Sequence, residues 1–198
     1  MIRKGITSLA LATALTLGLA ACKPGPAGGS SHGASASIGG PFKLIDQNGR
    51  PVDQTVIKGK WTAVFFGYTY CPDVCPTTLQ TLGTTIDQMG GRAKALQVVF
   101  ITVDPARDTP AQLKDYLSSS AFPRGVIGLT GSPEQVASVA SAYKVYFEKS
   151  GTGANYSVNH SSAIYLMNPK GEFDSVIAFG LTPDQTREQI VKAMRAAG

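Results

Sequence analysis

The stretch Phe65–Leu79, which reads FFGYTYCPDVCPTTL, decides the fold of this chain. An apolar run typical of a buried strand leads into it from Trp61, and a helix-like pattern follows from Pro76. Cys71 and Cys75 therefore lie at a strand-to-helix turn, where the free N–H groups and the dipole of the helix favour thiolates. A cysteine pair at this spacing can close a disulfide or hold a soft metal ion.

Strand patterns precede and follow this turn. An Asn-Gly pair between two short apolar segments is a strong hairpin signal and predicts an N-terminal β-hairpin. Continuous apolar runs have the length and composition of buried strands. The predicted strands are Phe42–Asp46, Pro51–Val52, Trp61–Gly67, Leu96–Val103, Val126–Leu129, Ala163–Met167 and Glu172–Phe179.

Three of the predicted helices begin with the same pattern. A hydroxyl residue at the N-cap precedes proline at the first helical position, and glutamine at the third position can close a capping box. These starts are Thr109–Gln112, Ser132–Gln135 and Thr182–Gln185, and a fourth helix is predicted from Pro76. The alternation of strands and helices indicates an α/β domain at residues 41–198, with a central mixed β-sheet flanked by helices. A cysteine pair that follows the first central strand and opens a helix points to the thioredoxin-like arrangement.

The first 40 residues are predicted to lie outside this domain. Residues 1–21 have the basic start, apolar centre and small terminal residues of a lipoprotein-type signal peptide. Cys22 is then the lipidated first residue of the mature protein; the alternatives are an uncleaved membrane anchor and an ordinary signal with an incidental cysteine. Residues 22–40 are rich in Gly, Ser and Pro and predict a flexible tether, in which His32 is solvated.

The predicted location of the protein and its net charge limit the classes of function that fit the sequence. The signal and Cys22 predict an exported protein, lipid-anchored to a bacterial membrane, whose domain faces the periplasm or the outer face of the cell membrane. The net charge of +5 is scattered without a basic run, which excludes a nucleic-acid footprint. Neighbouring thiols tend to be oxidised outside the cytoplasm, so a metal-binding role for the pair requires a thiol reductant.

A third donor is expected beside the two cysteines. Three residues separate Cys71 from Cys75, which leaves room for a metal between the sulfurs, and thiolates select Cu(I) or zinc. His160, at the entrance to Ala163–Met167, is the only histidine of residues 41–198 and is the predicted third ligand. The alternative is a solvated or hydrogen-bonded loop histidine. Zinc would prefer a fourth protein ligand, and none is evident.

Three motifs together resemble the Sco/SenC family of copper-binding assembly proteins: Tyr70–Pro76, Val103–Pro110 and Val158–Ser161. The resemblance runs from Pro41 to the C-terminus. It implies a membrane-tethered metallochaperone of thioredoxin fold that binds copper, as Cu(I) or as Cu(II), through two cysteines and one histidine. Such proteins serve in building the dinuclear copper centre of cytochrome c oxidase subunit II. The ligands carried over by position are Cys71, Cys75 and His160.

Two positions depart from the pattern of many relatives. Tyr70 stands where many have histidine before the first cysteine, and Asn159 stands where many have aspartate before the ligand histidine. Neither change touches the three predicted ligands. Both bear on metal affinity and metal preference, because residues near a ligand tune its basicity.

A second function uses the same cysteines. A thiol–disulfide oxidoreductase would reduce the cysteines of a copper-site target protein, with Cys71 and Cys75 as the redox pair and a disulfide between them in the oxidised state. His160 should matter much less in that case. A peroxide-reducing enzyme on the same fold is a weaker alternative, since no further activating motif is present.

Four charged residues near the motifs carry competing interpretations. Asp104 and Asp108 are candidates for a carboxylate pair, but Asp-Pro is also turn chemistry and Asp108 precedes a helix start. Arg107 is interpreted either as part of a docking surface or as a solvated loop charge. Asp73, inside the cysteine loop, either tunes the sulfurs, contacts a partner or shapes the turn.

Overall fold

The computed structural model describes residues 38–197. The predicted signal peptide at residues 1–21, Cys22, His32 and nearly all of the tether at residues 22–40 lie outside these described residues. Within residues 38–197, no helix combines the length and the apolar character that crossing a membrane would require.

The described residues form strands and helices in nearly the predicted order. The strands are β1 Lys43–Asp46, β2 Pro51–Asp53, β3 Trp61–Gly67, β4 Leu96–Thr102, β5 Ile127–Thr130, β6 Phe147–Ser150, β7 Ser157–His160, β8 Ile164–Met167 and β9 Phe173–Ile177. The α-helices are α1 Val74–Gln88, α2 Pro110–Tyr116, α3 Pro133–Ala142 and α4 Pro183–Ala196.

Seven of these strands make one mixed sheet, which confirms the predicted architecture. Their order across the sheet is β2-β1-β5-β4-β3-β8-β9. The central strands β3, β4 and β5 are parallel, whereas β1, β2, β8 and β9 pair antiparallel with their neighbours. The N-terminal hairpin β1–β2 is present as predicted, and its Gly49 has the positive φ of 78° that its turn requires.

Strand β3 lies at the centre of the core. All seven of its residues are buried, as expected for a strand with a parallel neighbour on one side and sheet faces covered on both. Phe65 and Phe66 are fully buried, and burial of such a side chain contributes about 1.5–3 kcal/mol. This rigid strand delivers the chain to the cysteine turn at its carboxyl end.

The helix starts agree with the predicted caps, with two differences. Thr109, Ser132 and Thr182 each accept a hydrogen bond from the amide three residues on, but the reciprocal glutamine bond forms only at Ser132 and Thr182. Helix α1 begins at Val74, two residues before the predicted Pro76, so Cys75 lies inside its first turn.

One pair of strands was not predicted. Strands β6 and β7 form a separate antiparallel hairpin, with Phe147 opposite His160. His160 was expected on a loop before β8, but it is the last residue of β7. Most residues of the hairpin are exposed and several are polar, so no apolar alternation marked it in the sequence.

Candidate metal centre

Cys75 is held against the end of β3. Its side chain is fully buried in the first turn of α1, directly over Gly67. A Cβ atom added at Gly67 would lie 2.8 Å from the Cys75 Sγ and 2.9 Å from Cε2 of Phe100. The absence of a side chain at Gly67 therefore creates the space that this sulfur occupies.

Cys71 lies one turn before Cys75 and is half-buried. The backbone N–H of Cys75 donates to its sulfur at 3.4 Å. A hydrogen bond with the Cys75 side chain is the main cause that lowers the pKa of Cys71 to about 3. A hydrogen bond with the His160 side chain and the backbone amides of Asp73 and Cys75 act in the same direction, and burial opposes them. The same side-chain hydrogen bond raises the pKa of Cys75, and so does its burial. The pair is therefore one thiolate and one thiol near neutral pH.

His160 completes the group from the opposite hairpin. Its Nε2 lies 3.6 Å from the Cys75 Sγ, and its Nδ1 donates to the backbone carbonyl of Ser161 at 2.9 Å. Because a carbonyl oxygen only accepts, this bond keeps the proton on Nδ1 and leaves the lone pair on Nε2. Edge-on contacts from the rings of Tyr68 and Phe65, at 5.9 and 6.4 Å between centroids, fix the plane of the imidazole.

The three side chains converge as the sequence predicted. One donor atom each of Cys71, Cys75 and His160 lies within 4.8 Å of the others, which is the separation of atoms that could hold one metal ion. Two sulfurs and one imidazole nitrogen are soft to intermediate donors and suit Cu(I). A cleft lined by Pro72, Val74, Ser157 and Ser162, among others, opens onto the group, so an exchange partner could reach it.

No disulfide joins Cys71 and Cys75 in this structure. Both are free cysteines among the described residues. A thiolate beside a neighbouring thiol is also the arrangement from which a disulfide forms, so the redox interpretation of the pair stays a prediction.

Asp108 holds the segment before Cys71 in place through hydrogen bonds. It is fully buried, and its carboxylate accepts hydrogen bonds from the Thr69 amide at 3.0 Å, the Thr69 hydroxyl at 2.7 Å and the Thr102 hydroxyl at 2.6 Å. It thereby ties the segment before Cys71 to the end of β4. Burial is the main cause that raises the pKa of Asp108. Its oxygens are engaged in these bonds, which is a structural use of the carboxylate.

Asp104 and Arg107 form a second connection. Asp104 is fully buried and pairs with the Arg107 guanidinium. Only 15% of the Arg107 side chain is exposed, so it is not a solvated loop charge, and its interpretation as part of a docking surface stays a prediction. Asp104 bonds to Arg107 and to the Tyr156 hydroxyl, 2.6 Å away, rather than to Asp108. The two carboxylates thus share no hydrogen bond, although the Thr102 hydroxyl that donates to Asp108 also accepts from the Asp104 amide at 2.8 Å.

The remaining singled-out residues lie at the edge of the group. Asp73 precedes α1, and its carboxylate accepts from the Thr77 hydroxyl at 3.2 Å, which shapes the turn. Tyr70 is 57% exposed and stacks on Arg107. Asn159 is exposed between Val158 and His160 on β7 and lines the cleft that opens onto the group. The two departures from the family pattern thus leave the three donors in place.

Sequence reasoning missed the roles of Gly67 and of the Arg107 network. Gly67 ends an apolar strand just before the cysteine turn, which is a position where close approach of another group calls for glycine. No local signal could have paired Arg107 with Tyr156, because their contact joins residues 49 positions apart.

Comparison with known proteins agrees with this fold. The SCO1/SenC family model matches residues 30–195. The mitochondrial protein SCO1 homolog 1 of Arabidopsis thaliana is 41% identical over 177 residues, which cover 88% of this chain and 51% of that protein. The chain thus spans about half the length of that protein and of the mitochondrial proteins SCO2 and SCO1 of Saccharomyces cerevisiae.

Solved structures match over most of the domain and confirm the thioredoxin-like fold. Arabidopsis thaliana ScoI with copper bound has a TM-score of 0.76 and 40% identity, over 81% of this chain and 99% of that one. Bradyrhizobium japonicum ScoI with copper bound has a TM-score of 0.72 and 43% identity, over 79% and 99%. With the family match covering residues 30–195, these likenesses establish that the chain belongs to the SCO1/SenC family.

Proposed function

We propose that this protein is a copper metallochaperone that carries Cu(I) as cargo on Cys71, Cys75 and His160. The observation that carries the proposal is the convergence of their three donor atoms within 4.8 Å. Two solved relatives of 40% and 43% identity have copper bound, which supports the choice of metal.

The donor set suits a cargo that must be released. Two sulfurs and one nitrogen satisfy Cu(I) in a trigonal arrangement, and thiolates prefer this ion to hard cations. The open cleft beside Cys71 and His160 admits the donors of an acceptor. Release then proceeds by ligand exchange, in which each bond to an acceptor atom replaces a bond to one of the three side chains.

The acceptor we propose is the dinuclear copper site of cytochrome c oxidase subunit II. Membership of the SCO1/SenC family and the three sequence motifs support this partner. A thiol reductant is a second required partner, because Cys71 and Cys75 bind Cu(I) only when they are reduced.

The location we propose is the outer side of a bacterial membrane. Residues 1–21 serve as the signal, Cys22 carries the lipid, and residues 22–40 act as a tether for the domain at residues 41–198. Metabolic labelling with a radioactive fatty acid tests this arrangement: the wild-type protein takes up label, and Cys22→Ser does not. Equal labelling of both proteins would contradict lipidation at Cys22.

Transfer of the metal is the direct test of the chaperone role. Purified protein loaded with one equivalent of Cu(I) is mixed with the copper-free soluble domain of a cytochrome c oxidase subunit II, and the proteins are then separated. We expect copper to move to the acceptor domain. Retention of copper by the donor, with an acceptor shown to take free Cu(I), would contradict the proposal.

The second candidate function is reduction of a target disulfide. The observation that favours it is the low pKa of Cys71, about 3, beside the protonated Cys75. The Cys71 thiolate would attack the target disulfide, and Cys75, after losing its proton, would release the reduced target as a Cys71–Cys75 disulfide forms. His160→Ala should weaken this exchange much less than it weakens copper binding, because the main hydrogen bond that lowers the Cys71 pKa comes from Cys75. One variant therefore separates the two functions.

A further inference from the structure

We propose that Arg107 is a positioning residue that holds His160 at the right distance from the cysteine pair. This inference rests on the proposed copper function and adds a residue that contacts none of the three donors. Its basis is a set of contacts through which one guanidinium joins the segment before Cys71 to the segment before β7.

The first half of this connection fixes the start of β7. The Arg107 Nη1 donates to the backbone carbonyl of Tyr156 at 3.0 Å, and the guanidinium carbon lies 3.7 Å from the centre of the Tyr156 ring. The Tyr156 hydroxyl donates to Asp104 at 2.6 Å. Tyr156 is thus held at its backbone and at its ring tip, immediately before the strand that ends in His160.

The second half reaches the cysteine loop. The guanidinium carbon lies 4.7 Å from the centre of the Tyr70 ring, and Tyr70 directly precedes Cys71. It also lies 5.7 Å from the Tyr68 ring, which makes the edge-on contact with the His160 imidazole. Arg107 therefore contacts both the segment that precedes Cys71 and the segment that precedes β7, which ends in His160.

An ion pair with Asp104 holds the Arg107 guanidinium in the position that the contacts with Tyr156 and Tyr70 require. Asp104 is fully buried, and its ion pair with Arg107 supplies the compensating charge. Removal of the guanidinium would leave this carboxylate buried without its cation, which is costly. A planar guanidinium can stack on a ring and donate in its own plane at once, whereas a lysine ammonium cannot. The arrangement therefore requires arginine.

The hairpin β6–β7 needs such an anchor because it stands apart from the main sheet. Its strands pair only with each other, and most of its residues are exposed. His160 is the residue at its end, so a small shift of the hairpin moves the imidazole relative to both sulfurs.

The test is a double-mutant cycle on Cu(I) affinity. Arg107→Ala in the otherwise wild-type protein should weaken Cu(I) binding by about 10- to 100-fold, the typical cost of losing a residue that orients a ligand. Arg107→Lys should give an intermediate loss. In a His160→Ala background the same Arg107→Ala change should have almost no further effect, because the residue acts through the imidazole.

A matched control removes a comparable ion pair elsewhere. Arg50 pairs at 2.7 Å with Asp46, whose side chain is also buried, in the β1–β2 hairpin. Arg50→Ala should leave Cu(I) affinity unchanged. Unchanged affinity in Arg107→Ala, or an equal loss with and without His160, would overturn the proposal. If Arg107→Ala does not fold, Arg107→Lys is measured in the same cycle, and the same two results decide.

A measurement on the metal-free protein separates this inference from the copper function. The bond from the Ser161 amide to the Tyr146 carbonyl makes Ser157 and Asn159 the residues of β7 whose amides face β6. Amide hydrogen exchange at Ser157 and Asn159 should accelerate in Arg107→Lys and Arg107→Ala but not in Arg50→Ala. Exchange at the wild-type rate in the Arg107 variants would contradict the anchoring role. Failure of the wild-type protein to bind Cu(I) would instead contradict the proposed function, whatever the exchange data show.

Discussion

The Nε2 atom of His160 lies 3.6 Å from the Sγ atom of Cys75, although 85 positions separate the two residues in the sequence. Cys75 is fixed by the first turn of α1, whereas His160 is fixed by the end of the β6–β7 hairpin. Their distance is therefore a property of the tertiary structure. Residues that pack against either element should therefore affect Cu(I) affinity, although they do not contact the metal.

Gly67 is the first such support. We expect Gly67→Ala to lower the free energy of unfolding by about 1–3 kcal/mol, the usual cost of overpacking, because the added Cβ would meet the Cys75 Sγ and the Phe100 ring. Displacement of Cys75 should also weaken Cu(I) binding. Chemical denaturation and a Cu(I) competition titration measure the two effects.

Gly91 supplies the control for this substitution. Nothing lies within 4 Å of a Cβ added there, and its φ is not positive. Gly91→Ala should therefore leave copper affinity at the wild-type value. Equal affinity in the Gly67 and Gly91 variants would show that the sulfur does not depend on the close approach at β3.

Asp108 should tolerate loss of charge but not loss of its oxygens. Burial raises the pKa of Asp108, so its carboxyl holds a proton more readily in the folded than in the unfolded chain, and the stability from this group is lost as pH rises through the folded pKa. Asp108→Asn keeps the shape of the side chain and its hydrogen-bonding atoms and should change the free energy of unfolding at pH 7 by less than about 1 kcal/mol. Its amide can still accept from the Thr69 amide and donate to the Thr69 hydroxyl.

Asp108→Ala gives the contrasting result. It leaves the buried Thr69 amide and the Thr102 hydroxyl without this acceptor and should cost about 1–3 kcal/mol. Asp115→Asn, on the exposed face of α2, serves as the control and should be neutral. If the asparagine variant is as unstable as the alanine variant, the charge itself is required and the account of Asp108 is wrong.

Cys71 should react as a thiolate over a wide pH range. Its pKa is lowered to about 3, so the thiolate persists as pH falls from 8 to 5, whereas an ordinary thiol loses most of its thiolate over that interval. The alkylation rate of Cys71 with iodoacetamide, followed by mass spectrometry on the reduced metal-free protein, should change little across this range.

The cause of the lowered pKa can be tested separately. The Cys75 side chain provides the main hydrogen bond, so Cys75→Ala should raise the Cys71 pKa and make its alkylation rate increase steeply with pH. A steep dependence already present in the wild-type protein would contradict the thiolate–thiol arrangement of the pair.

The sequence predicted the parts of the structure that local patterns determine. Trp61–Gly67 is a strand at the predicted residues because a buried central strand is a continuous apolar run. The caps at Ser132 and Thr182 are local chemistry, and both form as predicted. The three residues that converge at the candidate site were predictable because residues 41–198 contain one cysteine pair and one histidine.

The supports of the site were not predictable in the same way. Residues of β6 and β7 are largely polar and exposed, so their pairing depends on contacts that periodicity does not report. Asp108 bonds to Thr69 across 39 positions, and Arg107 bonds to Tyr156 across 49. Asp108 and Arg107 lie at helix-entry and turn positions, where local turn and capping chemistry already accounts for their residue types. Nothing in the sequence therefore indicates their long-range partners.

The most direct test of Cu(I) binding by two sulfurs and one nitrogen is a Cu(I) titration of the reduced protein against a competing chelator, with His160→Ala beside the wild type. We expect one Cu(I) per wild-type chain. We expect an affinity at least about 100-fold lower in His160→Ala, because about 100-fold is the upper end of the loss for a residue that only orients a ligand. Cys71→Ser and Cys75→Ser should lose tight binding as well. Equally tight binding by His160→Ala would contradict the two-sulfur, one-nitrogen site.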